Sequence, residues 1–278
     1  MSQDILSSEP SYLEHFYRVL EKNTGIALDA SKEYLVSFRL TLLAKKYGHA
    51  DYAALLKYLF LHPVNSIHWE CFEAMTTNET MFYRDIHPFD ALKNTILPKL
   101  IAKKKEVKEL YIWCAASSTG QEPYSLAMLL KENFPELNSW NVYIKATDLS
   151  QAAIDKGRLG IYNQTEILRG LTDSQISRYF SKLTNGHYQL AEDIKKIVKF
   201  DCMNLVIEWP IMPKFDVILL RNVMIYFNHD TKLEVLKKLN MQLVDKDSVL
   251  MLGSSESILY EENFKVVQMD HVSYYQKK

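Results

Sequence analysis

The spacing of apolar positions changes once along the chain. From residue 11 to about 75 they recur at helical intervals: Leu13, Phe16, Tyr17 and Leu20, then Leu35, Phe38 and Leu42, then Tyr52, Leu55, Leu56 and Leu59. Start and stop signals separate the runs. Ser11 with Glu14 predicts a capping box, and Thr24-Gly25 ends the first helix. The second runs to Tyr47-Gly48. Asp51 caps the third, His62-Pro63 stops it, and a fourth covers roughly 66–75. With no period-two alternation, this part reads as a small helical domain. Phe89 to Leu100 predicts a linker helix, and Lys103-Lys104-Lys105 an exposed helix end.

From Glu109 strands and helices alternate, which predicts a parallel sheet. The expected strands are Leu110–Ala115, Val142–Thr147, Ile197–Phe200, Phe215–Leu220 and Val249–Leu252. The expected helices are Pro123–Asn133, Ser150–Gly157 and Asp230–Leu243. Phe264–Met269 and Val272–Tyr275 predict an antiparallel pair at the sheet edge. Asn185-Gly186 between short apolar runs is a hairpin signal, so residues about 158–196 read as an insertion with a helix at Asp173–Phe180. The expected division is 1–85 for the helical domain, 86–108 for the linker and 109–278 for the sheet domain.

The stretch from Glu109 to Leu130 organises this pattern. A buried strand runs into the small residues Ala116–Gly120, then into a helix with Pro123 in its first turn. Open α/β sheets bind ligands beyond the carboxyl ends of such strands. Asp148 ends the next strand, where a carboxylate can accept from both ribose hydroxyls; it can also cap the helix before Gln151, and the two roles are compatible. A pyrophosphate needs several glycines for close backbone approach, and this loop holds only Gly120. A nucleoside ligand without phosphates fits better, and S-adenosyl-L-methionine is one. Arg221 and Asn222 end the fourth strand and by the same rule face the cleft.

Composition narrows the classes. A net charge of −1 gives no global attraction to nucleic acid or an anionic membrane. Cys71, Cys114 and Cys202 are odd in number and far apart, which argues against a disulfide framework or zinc site and fits a reducing, cytoplasmic setting. No metal-ligand spacing appears among the histidines. The first ten residues lack the basic-then-apolar order of a signal peptide, and no apolar run approaches the roughly 18–20 residues of a membrane span.

Five segments then point to a family: MTTNETMFYRD (75–85), WCAASSTGQEPYSLAM (113–128), ATDLSQAAIDKGRLGIY (146–162), FDVILLRNVMIYF (215–227) and LGSSES (252–257). Their order and spacing resemble the signature set of CheR-type chemotaxis receptor glutamate O-methyltransferases over residues 12–276. The resemblance implies an α/β fold: a class I S-adenosylmethionine-dependent, Rossmann-like methyltransferase domain with an N-terminal helical domain and an inserted β-subdomain. It implies a cofactor shell of Asn78, Thr80, Arg84, Glu122, Asp148, Asn204, Leu205, Arg221 and Asn222, with Tyr226 near the methyl group and S-adenosyl-L-homocysteine as product. Arg84 and Tyr226 are the implied catalytic residues. The implied partners are the cytoplasmic helices of methyl-accepting chemoreceptors. Charge and hydropathy add the expectation of no nucleic acid and no membrane insertion, and a monomer is expected.

Three departures matter. The second helix carries Arg39, Lys45 and Lys46 as candidate receptor contacts but lacks the adjacent arginines of many members; a solvated face is the plainer account of these charges. The short Leu183–Tyr188 hairpin loop predicts binding independent of a receptor-tail pentapeptide. Ser254 stands where histidine is usual. A competing reading is a non-catalytic cofactor-binding regulator in another signalling complex. A dinucleotide dehydrogenase fails on the glycine-poor loop, and a nucleic-acid methyltransferase on the neutral charge.

Overall fold

The structure is a computed structural model that describes residues 11–258, 261–269 and 271–278. It divides into two compact units. The smaller comprises the residues up to Thr77 with Tyr226–Asn228; the larger comprises Asn78–Ile225 and His229–Lys278.

The smaller unit contains α1 (Tyr12–Thr24), α2 (Glu33–Lys46), α3 (Tyr52–Leu61) and α4 (Ser66–Ala74). Each predicted start has its physical cause in place. Ser11 Oγ accepts from the Glu14 N–H and Asp51 from the Ala54 N–H. Only the Ser11 half of the expected capping box forms. Within this unit a full reciprocal box lies at α4, between Asn65 and His68. Gly25 ends α1 in the left-handed region at φ 76°. Phe16, Leu20, Val36, Leu40, Leu55, Leu59 and Phe72 form the core. Each is under 3% exposed, so their helical spacing is that of one shared interior.

The larger unit opens with α5 (Ile86–Ala91), a π-helical turn at Leu92–Ile96, and α6 (Leu97–Lys103). Together these cover the helix expected over Phe89–Leu100 and extend beyond its apolar pattern at both ends. Phe89, Leu92, Ile96 and Leu97 are buried in the same core as the sheet strands. The lysines at its end are not an idle exposed run. Lys103 Nζ meets Asp245 at 2.8 Å and Asp247 at 2.6 Å, and Lys104 Nζ meets the buried Asp216 at 2.6 Å.

The strands and remaining helices follow in chain order: β1 (Glu109–Cys114), α7 (Gln121–Asn133), β2 (Asn141–Asp148), α8 (Gln151–Leu159), β3 (Ile161–Tyr162), α9 (Gln164–Leu168), α10 (Asp173–Tyr179), β4 (Phe180–Lys182), β5 (Tyr188–Leu190), α11 (Glu192–Lys195), β6 (Val198–Cys202), β7 (Val217–Leu220), α12 (His229–Gln242), β8 (Val249–Leu252), β9 (Phe264–Gln268) and β10 (Ser273–Lys277). Seven strands form one sheet in the order β6-β2-β1-β7-β8-β10-β9. The first five run parallel, and β10 is antiparallel to both neighbours. β7 and β8 are buried at every residue, as parallel strands covered on both faces must be. Chain order reverses between β1 and β7, which makes their carboxyl ends the topological switch point.

The insertion folds as the three-stranded sheet β3-β5-β4. Its hairpin closes through Leu183 N–H to the His187 carbonyl at 2.7 Å, with Gly186 at φ 82°. Tyr162, Tyr179, Phe180, Leu190 and Ile194 join the core of the main sheet, so the insertion is an integral part of the larger unit.

Candidate active site

After β1 the backbone turns through Ala115–Gly120, and small side chains let it be tied on every side. Ala115 N–H donates to the Leu219 carbonyl and Ser117 N–H to the Thr147 carbonyl, each at 2.8 Å. Ser118 sits at φ 49° and Gly120 at φ 97°. A Cβ on Gly120 would lie 3.1 Å from Phe200 and from the Tyr162 hydroxyl and 3.2 Å from the Gly157 backbone. The one loop glycine is therefore required by packing as well as by backbone angle. The turn delivers α7, whose first ten residues, Gln121–Leu130, are all buried.

Asp148 at the end of β2 points into this turn. Its Oδ2 accepts from the Ser118 N–H at 2.8 Å and its Oδ1 from the Ser150 N–H at 2.9 Å. The expected cap role belongs to another residue: Ser150 caps α8 by accepting from the Ala153 N–H at 3.1 Å. Asp148 instead joins the tips of β1 and β2, and a carboxylate can accept more bonds than these two. One strand outward, Met203 N–H donates to the Asp148 carbonyl at 2.8 Å, and Asn204 Oδ1 accepts from the Val206 N–H at 3.0 Å. Asn204 and Leu205 thus follow the tip of β6 beside Asp148, both buried.

Arg221 departs from the cleft-facing reading. Its side chain is 2% exposed and turned inward. Nη1 donates to Glu122 Oε2 at 2.8 Å; Nη2 donates to the Arg84 carbonyl at 2.7 Å and to Asp85 Oδ2 at 3.1 Å. The ring of Phe89 lies beneath it, 5.8 Å from the guanidinium carbon. Arg221 and Glu122 therefore form a buried brace between β7, α7 and the 78–85 segment. Burial and the nearby Glu122 charge push the Cys114 thiol far up from its ordinary value, so it stays protonated.

The 78–85 segment is held in an unusual shape. Tyr83 and Asp85, on either side of Arg84, both have positive φ, at 49° and 54°. Such angles cost free energy in residues other than glycine and persist only where surroundings enforce them. The Ser125 hydroxyl accepts from the Tyr83 N–H at 3.0 Å, Ser118 Oγ donates to the Asn78 carbonyl at 2.9 Å, and Arg221 holds Arg84 and Asp85. Gly170 of the insertion packs on Phe82 so closely that a Cβ there would lie 1.9 Å from the Phe82 carbonyl oxygen. Arg84 is half-buried as a residue, with Nη1 donating to the Glu79 carbonyl at 2.9 Å. Asn78 is exposed and Thr80 half-buried on the same segment.

Glu256 is the residue that sequence reasoning underweighted. Its Oε2 accepts from the Gly253 N–H at 2.7 Å and the Asn222 N–H at 2.8 Å; its Oε1 accepts from the Val223 N–H at 2.8 Å. One carboxylate thereby joins the ends of β7 and β8 and holds Asn222 at φ 60°. The usable signal was a carboxylate three residues after a strand-ending glycine.

The remaining candidates lie in the smaller unit. The Tyr226 carbonyl accepts from the Ala27 N–H at 2.9 Å. Arg39 is occupied internally: Nη1 donates to the Ala74 and Thr76 carbonyls at 3.3 and 3.0 Å, and Nη2 to Thr77 Oγ1 at 3.3 Å. Lys46 pairs with Glu70 at 2.5 Å on the surface. Lys45 is exposed, as are Tyr34, Phe38 and Leu42 along the outer face of α2.

The strand order, the reversal at β1 and β7, the carboxylate at the tip of β2 and the glycine-poor loop together define a class I S-adenosylmethionine-dependent methyltransferase. The profile described as CheR methyltransferase, SAM binding domain, matches residues 78–273. The chain is 38% identical over 257 residues to a chemotaxis protein methyltransferase 1 of Vibrio cholerae, covering 91% of each chain. It is 34% identical over 270 residues to chemotaxis protein methyltransferase Cher2 of Pseudomonas putida, covering 95% of this chain and 97% of the relative. The chain belongs to the CheR methyltransferase family. A solved TehB-like SAM-dependent methyltransferase from Corynebacterium glutamicum aligns with TM-score 0.38 at 12% identity, covering 77% of this chain and all of the other, a likeness too slight to bear on chemistry. Among the described residues no helix is long and apolar enough to cross a membrane, and no acidic, His and Cys cluster suits a metal ion.

Proposed function

We propose that this enzyme methylates glutamate side chains on the cytoplasmic helices of chemoreceptors, in the cytoplasm, without a receptor-tail pentapeptide. The observation that carries the reading is Asp148, fixed by Ser118 and Ser150 at the tip of β2, with the strained Arg84 segment tied to the same turn through Ser118 and Asn78. These residues suit S-adenosylmethionine, which is cationic at sulfur and carries a ribose and an amino-acid tail but no phosphate. When bound, it supplies an electrophilic methyl group.

Asp148 would accept from the ribose hydroxyls, and Asn204 and Leu205 would border the base at the next strand tip. Arg84, with Asn78 and Thr80, would hold the tail carboxylate. Glu122 and Arg221 would set the floor of the site and the position of Arg84, with Asn222 held at its edge by Glu256. The acceptor is a carboxylate with an ordinary pKa of about 4.3, so it is ionised at neutral pH and needs no general base. The residues therefore have to align two groups and exclude water, a task that asks for no histidine or cysteine. The resemblance gives Tyr226 the part of orienting the acceptor, and Tyr226→Phe, read as kcat, tests it.

The exposed Lys45 and the outer face of α2 support receptor docking there, with Lys46 held nearby through Glu70. The short hairpin at Leu183–His187 supports pentapeptide independence. The direct test is methyl incorporation from labelled cofactor into receptor cytoplasmic fragments, with and without the receptor tail. Base-labile carboxyl methylation, equal for both fragments, is expected. No incorporation, or incorporation only with the tail, overturns the corresponding part.

A further inference from the structure

The connection from β6 to β7 joins two parallel strands, a task usually given to a helix. Residues 203–214 form neither helix nor strand, so their carbonyls need donors from elsewhere. Lys238 of α12 supplies them. Its Nζ donates to the Leu205 carbonyl at 2.6 Å and to the Ile207 carbonyl at 2.9 Å, and lies 4.8 Å above the Trp209 ring. Trp209 Nε1 donates to the same Leu205 carbonyl at 3.1 Å. Its ring packs edge-on against buried Trp113, 5.1 Å away, whose Nε1 donates to Thr147 Oγ1 at 2.9 Å, next to Asp148. One ammonium and two indoles thus bind the 204–209 turn to the end of β2. Ammonium–carbonyl bonds are stronger than neutral ones, and a ring that excludes water strengthens them further.

We propose that Lys238, with Trp209, is the positioning element for the base-binding edge of the cofactor site, fixing Asn204 and Leu205 at the distance from Asp148 that an adenosyl group requires. The proposal rests on the placement of Asn204 and Leu205 in the cofactor shell given above. Neither Lys238 nor Trp209 needs to touch the ligand; each acts through the carbonyl of Leu205.

The test uses the full chain and calorimetry with S-adenosylhomocysteine, together with steady-state methylation. Lys238→Met keeps the stem and removes the donors. Its Kd and its KM for S-adenosylmethionine should rise about tenfold, with the loss concentrated in KM rather than kcat. Trp209→Phe keeps a ring and removes one donor, for a rise of about threefold. Lys238→Arg, which keeps charge and donors, should recover most of the affinity. Preference for the adenine ligand over its hypoxanthine counterpart should narrow in Lys238→Met, which a purely structural defect would not produce. Lys237→Met on the exposed side of the same helix serves as the control. If Asn204→Ala weakens binding while Lys238→Met binds as tightly as the parent, or loses only kcat in step with its folded fraction, the proposal is wrong. If Asn204→Ala also leaves affinity unchanged, the shell placement fails first.

Discussion

Arg221 and Glu122 meet at 2.8 Å where the arginine side chain is only 2% exposed, and the same guanidinium holds the Arg84 carbonyl at 2.7 Å. The pair links stability to site geometry, and the two consequences can be separated. Glu122→Gln leaves a buried guanidinium short of compensating charge, so the larger unit should lose about 3 kcal/mol, or roughly 6–12 °C in its melting temperature. The double change Arg221→Met with Glu122→Leu removes both charges and should restore much of that stability. It should not restore activity, because nothing then holds the Arg84 carbonyl. Recovery of kcat along with melting temperature would show that the pair is structural only.

Asp148→Asn is the sharpest test of the strand-tip site. An amide offers one acceptor oxygen, so either the Ser118 or the Ser150 N–H, now bonded at 2.8 and 2.9 Å, would face an NH2 donor. About 1–3 kcal/mol of local stability should be lost, and affinity for S-adenosylhomocysteine should fall at least about tenfold. Calorimetry beside a melting curve checks both. Unchanged affinity would remove Asp148 from the site.

Gly170→Ala tests whether the insertion shapes the Arg84 segment. The position has φ 106°, and an added Cβ would lie 1.9 Å from the Phe82 carbonyl oxygen, so a backbone shift is unavoidable. A loss of about 2 kcal/mol or more is expected. Hydrogen exchange should quicken at residues 82–85, and KM for the cofactor should rise. An exchange change confined to α9 and α10 would mean that the insertion and the Arg84 segment are independent.

The sheet was legible in the sequence because its strands are short apolar runs bounded by polar turns. Val249–Leu252 emerges at its predicted bounds, and the others differ by one or two residues at their ends. The insertion was legible because Asn185-Gly186 interrupts the alternation. The partners of charged groups were not. Arg221 ends a strand at a switch point, so position alone sends it outward, yet Glu122 and Asp85, 99 and 136 residues away in sequence, draw it in. The lysines at the end of α6 read as a solvated run until Asp216, Asp245 and Asp247 meet them across the fold. Arg39, a candidate docking charge set against a plainer solvated face, also bonds the carbonyls of Ala74 and Thr76 at the end of α4, which no local pattern announced. Apolar periodicity reports local burial, whereas charge pairing over a hundred residues depends on topology that no local window contains.

The helical unit should carry its own pH dependence, set by His68 rather than by its surface carboxylates. His68 is 2% exposed, with Nε2 3.0 Å from the Leu59 carbonyl and Nδ1 3.3 Å from the Asn65 backbone nitrogen in the box that starts α4. Burial pulls its pKa below the ordinary 6.5, against the opposing pull of the Leu59 bond, and the nearby His15 and His62 lower it further. His15 is itself lowered, by burial and then by Arg18. For a histidine lowered by folding, the unfolded chain binds protons first as pH falls. Stability is therefore fully present above pH 6.5 and is lost as pH drops through the folded value. The carboxylates lowered by hydrogen bonds, Asp29 and Glu70, act in the same direction, but in the more acidic range below their ordinary 3.8 and 4.5. Hydrogen exchange of α3 and α4 in the full chain should thus be steady from about pH 8 to 7, after correction for intrinsic rates, and faster than that baseline by pH 5.5. His68→Gln should lower protection throughout and flatten the slope. A slope unchanged in His68→Gln, or one that appears only near pH 4, would assign the effect to the carboxylates instead.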